Sequence, residues 1–192
     1  RLESLGAELV RFSPIHDAHL PDVDGLYFGG GYPEIHAERL SRNQSMRTDV
    51  ASFAEMQGPI YGECGGLMYL SSGIRTLDRT LYPMVGLIPG EAEMKDRLQA
   101  LGYVEVETKE NTLLGPAGLR FRGHQFRYSD FHLSPDVERA YSVCRRRGGE
   151  PFGEGYRRGN TLGSYIHAHW ASNPLLAQGF VQACAAHARR AR

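Results

Sequence analysis

The side chain best suited to covalent chemistry in this sequence is the thiol of Cys64. Glycine stands two positions before it and at both positions after it, in the run Gly62-Glu63-Cys64-Gly65-Gly66. This is the spacing of a nucleophile elbow, in which glycines remove the side chains that would collide around a strained turn from strand to helix. We expect the helix start to lower the pKa of the thiol, and the amide of Gly65 to point at an oxyanion.

A cysteine without a partner is also commonly a small buried core residue. The chain has three cysteines, and that interpretation suits two of them. Cys144 lies in a strand-like run and Cys184 in an alanine-rich helical segment, so both are predicted to pack in the core. For Cys64 the catalytic interpretation requires a base nearby.

Among the eight histidines, His167 is the best candidate for that base. It ends an apolar strand-like segment just before a loop and the final helix, where it can reach the same sheet edge as the elbow. Transfer of the Cys64 proton to it would give a thiolate–imidazolium pair. His167 and His169 alternate along a strand and could alternatively bind a metal, although no third ligand has a convincing spacing. A purely structural role for both is the remaining alternative.

Three consecutive glycines, residues 29–31, follow a strand-like segment and precede Tyr32, Pro33 and Glu34. The run lacks the lysine of a phosphate-binding P-loop and the spacing of a dinucleotide-binding loop. Bare backbone N–H groups of this kind can approach a small ligand closely and provide a second oxyanion donor. The alternative is a flexible turn.

Strands and helices alternate through the first part of the chain. A helix tail near residues 2–6 is followed by short strands near residues 9–12 and 24–28, a helix starting near Pro33, a longer helix through Met46, Val50 and Phe53, a strand at residues 59–63 and a helix starting at Gly65. This order predicts an α/β domain with a parallel sheet covered by helices.

Alternating patterns dominate after about residue 100. Residues 103–108, 119–122, 126–128, 140–145 and 162–166 predict antiparallel or mixed strands with one solvated face. Asn173 and Pro174 predict the start of a last helix that reaches about residue 190.

Composition excludes several classes of function. Lys plus Arg and Asp plus Glu both number 22, so the net charge is zero and no footprint for nucleic acid appears. No apolar stretch approaches the roughly 20 residues of a membrane span, and no signal peptide is visible. The odd number of cysteines without a CxxC pair argues against a disulfide framework and favours a reducing, cytoplasmic compartment.

Taken together, these motifs resemble a known family. The stretches that carry the resemblance are residues 25–34, residues 62–66, residues 122–129 and residues 165–170. In this order they resemble a class I (triad-type) glutamine amidotransferase domain, and more narrowly the glutaminase domain of the cobyrinic or hydrogenobyrinic acid a,c-diamide synthase family. The resemblance implies a flavodoxin-like three-layer α/β fold with a mixed, mostly parallel central sheet plus antiparallel strands.

The resemblance also implies roles for individual residues. Cys64 would attack the side-chain amide of glutamine, release ammonia and leave a γ-glutamyl thioester that water hydrolyses. His167 matches the family's base, and the oxyanion region corresponds to Gly30, Gly31 and Gly65. Possible pocket residues are Tyr32, Glu63 and His124. No metal site is implied.

Two positions depart from the wider class. The base is usually followed two residues later by a glutamate that orients it, whereas this chain has His169, which is the candidate for the orienting role. A neutral histidine can hydrogen-bond an imidazole but supplies no negative charge. Glutamine often stands four residues after the nucleophile, where this chain has Met68. The corrinoid branch shares both departures.

The family's full enzyme carries an N-terminal ATP-binding amidoligase domain. We therefore expect residues 1–192 to be one glutaminase domain, the C-terminal part of a longer chain, without its first strand. No cofactor is expected in this chain, and ATP and Mg²⁺ would serve the amidoligase domain, which would also bind most of the corrinoid acceptor. Glutamine is the expected substrate, neither nucleic acid nor membrane is an expected partner, and a homodimer is compatible with the family.

Other interpretations stay open at this point. The same motifs suit the glutaminase domain of cobyric acid synthase, of a nickel-sirohydrochlorin diamide synthase or of a cell-wall lipid amidotransferase. A cysteine hydrolase acting on γ-glutamyl peptides is another possible enzyme. A non-catalytic interaction domain could retain the fold, although the intact Cys64 and His167 argue against it.

Overall fold

The computed structural model describes residues 1–191, which form two β-sheets and four α-helices. The helices are α1 (Ala37–Arg42), α2 (Gln44–Glu55), α3 (Gly65–Leu70) and α4 (Leu175–Ala191). The strands are β1 (Leu26–Phe28), β2 (Ile60–Glu63), β3 (Ser71–Arg75), β4 (Leu81–Pro83), β5 (Ile88–Met94), β6 (Ala100–Thr108), β7 (Arg120–Arg127), β8 (Ser129–Leu133), β9 (Glu138–Arg145), β10 (Phe152–Arg158), β11 (Thr161–Ser164) and β12 (His167–Ala168). Two short 3₁₀ helices lie at Glu3–Leu5 and Pro33–His36.

The larger sheet has eight strands in the order β1-β2-β11-β10-β9-β6-β7-β12. It is mixed, as expected, but its parallel part is small, because only β1–β2 and β2–β11 pair in parallel. The other five pairings of the sheet are antiparallel. Strands that follow one another through short turns can only pair antiparallel, whereas parallel neighbours need a long crossover. The expectation of a mostly parallel sheet is therefore wrong in this respect.

Both faces of the larger sheet are covered, which gives the expected three layers. Ile60 and Tyr61 are consecutive in β2 and fully buried, and they point into different cores because side chains alternate along a strand. Ile60 packs in the core that contains buried residues of α2 and α3. Tyr61 packs in the core that contains Leu176 and Phe180 of α4.

The second sheet has the order β4-β3-β5-β8 and was not predicted. Its first strand along the chain, β3, begins directly after α3, because Ser71 follows Leu70. The strand-like segments near residues 120 and 127 prove to be one continuous strand, β7. The longer predicted helix is present as α2, with Met46, Val50 and Phe53 buried, and the last predicted helix is α4.

The beginning of the chain differs from the prediction. Glu3–Leu5 form a 3₁₀ helix that ends at Gly6 with a φ of 89°. Residues 9–12 form no strand, and Leu9 and Val10 are 55% and 47% exposed. A segment forms a strand only when it is hydrogen-bonded to a neighbouring strand. Residues 9–12 do not pair with β1, whose outer edge has no partner within residues 1–191. No described helix has the length and apolar character to cross a bilayer.

Candidate active site

Cys64 lies between β2 and α3 in a strained backbone conformation, with φ of 50° and ψ of −102°. Such conformations cost about 1–3 kcal/mol and persist where the surroundings impose them. Here the N–H of Cys64 donates to the carbonyl oxygen of Ser164 at 2.7 Å, and its own carbonyl accepts from the N–H of Met68 at 3.1 Å. The turn expected from the glycine spacing is present.

The glycines on either side of this turn are sterically required. A Cβ on Gly66 would overlap the carbonyl oxygen of Phe28, which is backbone of β1 and cannot move aside. A Cβ on Gly62 would lie 2.7 Å from Cδ1 of Leu70 and 2.9 Å from the carbonyl carbon of Gly66. Close packing of α3 on β1 and β2 therefore fixes the elbow.

The glycine run of residues 29–31 lies directly against the elbow. A Cβ on Gly65 would be 2.9 Å from the carbonyl oxygen of Gly31 and 3.0 Å from its nitrogen. The Gly65 N–H interacts with the Cys64 sulfur. Within residues 1–191 the N–H groups of Gly30 and Gly31 donate to no acceptor. The N–H groups of Gly31 and Gly65 are therefore the candidate donors next to the elbow, as an oxyanion site requires.

His167 lies against the same glycine run. A Cβ on Gly30 would overlap Cε1 of its ring and lie 3.0 Å from Nδ1. The ring stacks on His124 of β7, with 4.6 Å between centroids and 8° between planes. Partial burial, together with the neighbouring His124, lowers the pKa of His167 below its ordinary 6.5. The imidazole is therefore neutral at neutral pH and able to accept a proton.

The prediction of a lowered thiol pKa is wrong for the protein without ligand. Cys64 is only 8% exposed, and burial raises its pKa to about 11. The charges of Glu34 and Glu63 raise this pKa further, while the Gly65 N–H and Arg127 oppose them. The helix that follows the thiol has only six residues, so its end does not outweigh the loss of hydration.

The thiol donates one weak hydrogen bond in this state. Its sulfur lies 3.8 Å from the carbonyl oxygen of Phe126, to which it donates. No hydrogen bond joins it to His167 among residues 1–191. The raised pKa of Cys64 and the lowered pKa of His167 make the thiol and the imidazole both neutral at neutral pH.

Glu63 is a buried support rather than a pocket residue. It is 4% exposed, and its carboxylate accepts hydrogen bonds from the hydroxyls of Tyr27 at 2.8 Å and Tyr61 at 2.9 Å. The N–H of Ala168 donates to the same carboxylate at 3.0 Å. Burial raises the pKa of Glu63.

The other predicted site residues have different surroundings. Tyr32 is 63% exposed beside the glycine run. His169 is exposed, and its N–H donates to the carbonyl oxygen of Arg122. His124, rather than His169, lies against the ring of His167, although all three histidines line one cavity of about 530 Å³. The orienting role of His169 stays a prediction.

Sequence reasoning missed Arg127. The odd-numbered positions of β7 from Phe121 to Gln125 are buried. Arg127 continues this alternation, so a charged residue on the buried face of a strand was the pattern that could have identified it. Its guanidinium lies 4.8 Å from the ring centroid of Tyr165 and donates to Asp130 at 3.2 Å. Its Nε is buried with no acceptor within the described chain.

The two other cysteines also differ from each other. Cys184 is partly buried, as predicted, and burial raises its pKa to about 11. Cys144 is exposed on β9, so its prediction as a core residue is wrong. Across residues 1–191 no group of three or more His, Cys, Asp or Glu side chains could hold a metal ion.

Comparison with solved structures agrees with this architecture. A glutamine amidotransferase structure superposes with a TM-score of 0.61 at 20% identity, covering 84% of this chain and 79% of that one. A chain of PurLQS from Thermotoga maritima gives a TM-score of 0.62 at 16% identity, covering 91% and 84%. At these identities the likeness concerns the fold alone.

Other proteins share a much higher sequence identity with this chain. Cobyrinate a,c-diamide synthase of Leptospira interrogans is 55% identical over 186 residues, which are 96% of this chain and 41% of that protein. The synthase of the same name from Syntrophotalea carbinolica is 48% identical over 187 residues, covering 95% and 41%. The chain thus spans about 41% of the length of these relatives. The model of the CobB/CobQ-like glutamine amidotransferase domain matches residues 1–175, and the chain belongs to that family.

Proposed function

We propose that this domain hydrolyses glutamine at Cys64, with His167 as the base, and supplies the ammonia for ATP-dependent a,c-diamidation of cobyrinic or hydrogenobyrinic acid in cobalamin biosynthesis. The observation that carries the proposal is the position of residues 29–31. Gly30 of this run packs against the ring of His167, and Gly31 packs against Gly65, the residue after the strained Cys64.

The proposed reaction begins when the side-chain amide of glutamine enters between thiol and imidazole. His167 takes the proton of Cys64 as the sulfur attacks the amide carbon, and the oxygen that becomes negative is held by the N–H groups of Gly31 and Gly65. The imidazolium then returns the proton to the departing nitrogen, so ammonia leaves and a thioester forms. Water, deprotonated by His167, cleaves the thioester to glutamate and the free thiol.

A buried, protonated thiol suits this sequence of steps. Because the pKa of Cys64 is about 11, the sulfur becomes nucleophilic only when a base takes its proton in the presence of substrate. The neutral state of His167 makes it an acceptor at neutral pH.

The amidation step is proposed for a part of the enzyme that this chain does not match. The relatives named cobyrinate a,c-diamide synthase are more than twice as long as the matched region. We assign ATP, Mg²⁺ and most contacts with the corrinoid acceptor to that remaining part. The unpaired cysteines support a cytoplasmic location.

Labelling with a reactive glutamine analogue tests the proposal. The diazo-ketone 6-diazo-5-oxonorleucine should add one mass increment to the chain, and peptide mapping should place it on Cys64. Glutamine in excess should protect the thiol, and Cys64→Ser should take up no label and release no ammonia from glutamine. Label on Cys144 or Cys184, or ammonia release that survives in Cys64→Ser, contradicts the proposal.

A further inference from the structure

The ring of His167 is held mainly by one other side chain. Its strand, β12, has only two residues and lies at the end of the larger sheet, where it pairs with β7. Gly30 packs against Cε1 of the ring, but residues 29–31 are glycines and carry no side chain that could restrain it. His124 covers one face of the imidazole, with 4.6 Å between the ring centroids and 8° between the planes.

The register of the sheet produces this stack. His124 is directly opposite His167 in the antiparallel pair of β7 and β12, so the two side chains lie on the same face of the sheet. Gly123, which is opposite Ala168, lets the two strands approach closely. A Cβ on Gly123 would lie 2.5 Å from Cγ2 of Ile166 and 2.7 Å from the carbonyl oxygen of His167. The contact between the rings is therefore fixed by backbone pairing.

Several titratable or charged side chains share the cavity of about 530 Å³ onto which these two rings open. They are Arg122 of β7, Tyr103 and Glu105 of β6, Arg146 after β9, and His169 after β12. Beneath the strand, Glu63 of β2 binds the N–H of Ala168.

Among these groups, His124 is the one stacked on the ring of His167. Burial lowers the pKa of His167, and the charge of His124 lowers it further. Two positive charges at this separation repel each other, so a proton on His124 disfavours a proton on His167. The stack therefore acts on both the orientation and the protonation of the proposed base.

We propose that His124 is a positioning residue for His167, which holds the imidazole against Gly30 and, by its own positive charge, keeps His167 free of a second proton as the pH falls. This inference rests on the proposed role of His167 as the base. His124 itself transfers no proton to or from the substrate in this proposal. Its contribution is a base that is correctly placed and unprotonated over a wider range of pH.

Two substitutions separate the effect of the ring from the effect of the charge. His124→Ala removes both, so the imidazole of His167 loses its stacking partner and kcat for glutamine hydrolysis by the full-length protein should fall about 10-fold. His124→Phe replaces one aromatic ring by another without a charge. It should therefore recover most of the kcat that His124→Ala loses.

The effect of the charge appears in the pH dependence of His124→Phe. Without the positive charge of His124 the pKa of His167 should rise, so the acid limb of kcat/KM, which reports the free enzyme, should move to higher pH. The ratio of variant to wild-type kcat/KM should accordingly fall about threefold between pH 8 and pH 5.5. NMR titration of the histidine Cε1–H signals should show the same upward shift for His167 in the absence of glutamine.

His132 provides a matched control. It is exposed on β8 of the second sheet, where its Nε2 pairs with Glu93 at 2.6 Å. His132→Phe should leave kcat and the acid limb as they are in wild type.

Three results would overturn the inference. They are an unshifted titration of His167 in His124→Phe, undiminished turnover in His124→Ala, and a phenylalanine variant as slow as the alanine variant. Failure of the proposed function has a different signature. Absence of label on Cys64 would contradict the nucleophile, whereas the NMR titration of His167 requires no turnover and would still report the effect of His124.

Discussion

The carboxylate of Glu63 accepts a hydrogen bond from the backbone N–H of Ala168 at 3.0 Å. The residue before Cys64 therefore holds the residue after His167. The two strands involved, β2 and β12, are far apart in the order of the sheet. They meet because β12 begins soon after β11, the parallel neighbour of β2, and β12 then pairs with β7. The sheet therefore curls, and its two ends meet beside the candidate active site.

We predict that Glu63→Gln changes how stability depends on pH. The pKa of Glu63 is raised above 4.5 in the folded protein by burial, so the folded state holds more proton than the unfolded state between 4.5 and the raised value. This carboxyl therefore makes the free energy of unfolding fall as the pH rises through that window, by at most about 1.4 kcal/mol per pH unit. Urea denaturation of both proteins at several pH values measures the effect.

The expected result is that the stability of wild type, relative to Glu63→Gln, declines as the pH rises above 4.5. Glu55→Gln, at an exposed position, is the control for the chemical change itself. A difference that grows with pH would mean that Glu63 is stabilised as a carboxylate.

We predict that His167→Asn lowers kcat for glutamine hydrolysis far more than His169→Asn does. His167 lies against Gly30 beside the thiol, so its loss should lower kcat for glutamine hydrolysis by about 100-fold or more. His169 is exposed, and its replacement should change kcat by less than about 10-fold. Circular dichroism should show both variants folded. Near-normal turnover in His167→Asn would assign the proton transfer to another group.

We predict that alanine at position 30 impairs the reaction while alanine at position 29 does not. A Cβ on Gly30 would overlap the imidazole of His167, whereas a Cβ on Gly29 meets only the hydroxyl of Tyr27 at 4.0 Å. Gly30→Ala should thus displace the base and reduce kcat more than 10-fold with little change in thermal unfolding. Equal activity of the two variants would show that the position of the ring is not critical.

We predict that the three cysteines react with iodoacetamide in a fixed order. Only the thiolate reacts, and the pKa values of Cys64 and Cys184 are both raised to about 11. Cys144 is exposed and should be modified first at pH 8, as peptide mass spectrometry will show. Reaction at Cys64 should accelerate as the pH approaches 11. Rapid alkylation of Cys64 at pH 7 would contradict a pKa of about 11.

The elbow could be predicted because its cause is local. Gly62 and Gly66 are required by collisions within a few residues of Cys64 and with the adjacent strand β1, and the sequence shows this spacing directly. His167 was also identifiable, since it ends the apolar stretch that forms β11 and the residues after it. Short-range sterics and the end of a buried strand both leave a readable pattern.

The electrostatics of the site could not be predicted in this way. The pKa of Cys64 depends on how much of the thiol is buried, on Glu34 and on Arg127, which lie 30 residues before and 63 residues after it. The second sheet escaped prediction for a similar reason. Ser71–Arg75 contain little alternation and become a strand only because β4 and β5 pair with them.

The deep position of Cys64 also determines how the protein responds to oxidants. Peroxides and disulfides react with a sulfur anion far faster than with its neutral form. A sulfur that is 8% exposed and keeps its proton up to a pKa of about 11 resists conversion to sulfenic acid until a substrate arrives. In the proposed reaction, the same burial that keeps the thiol unreactive without substrate therefore also protects it from oxidation.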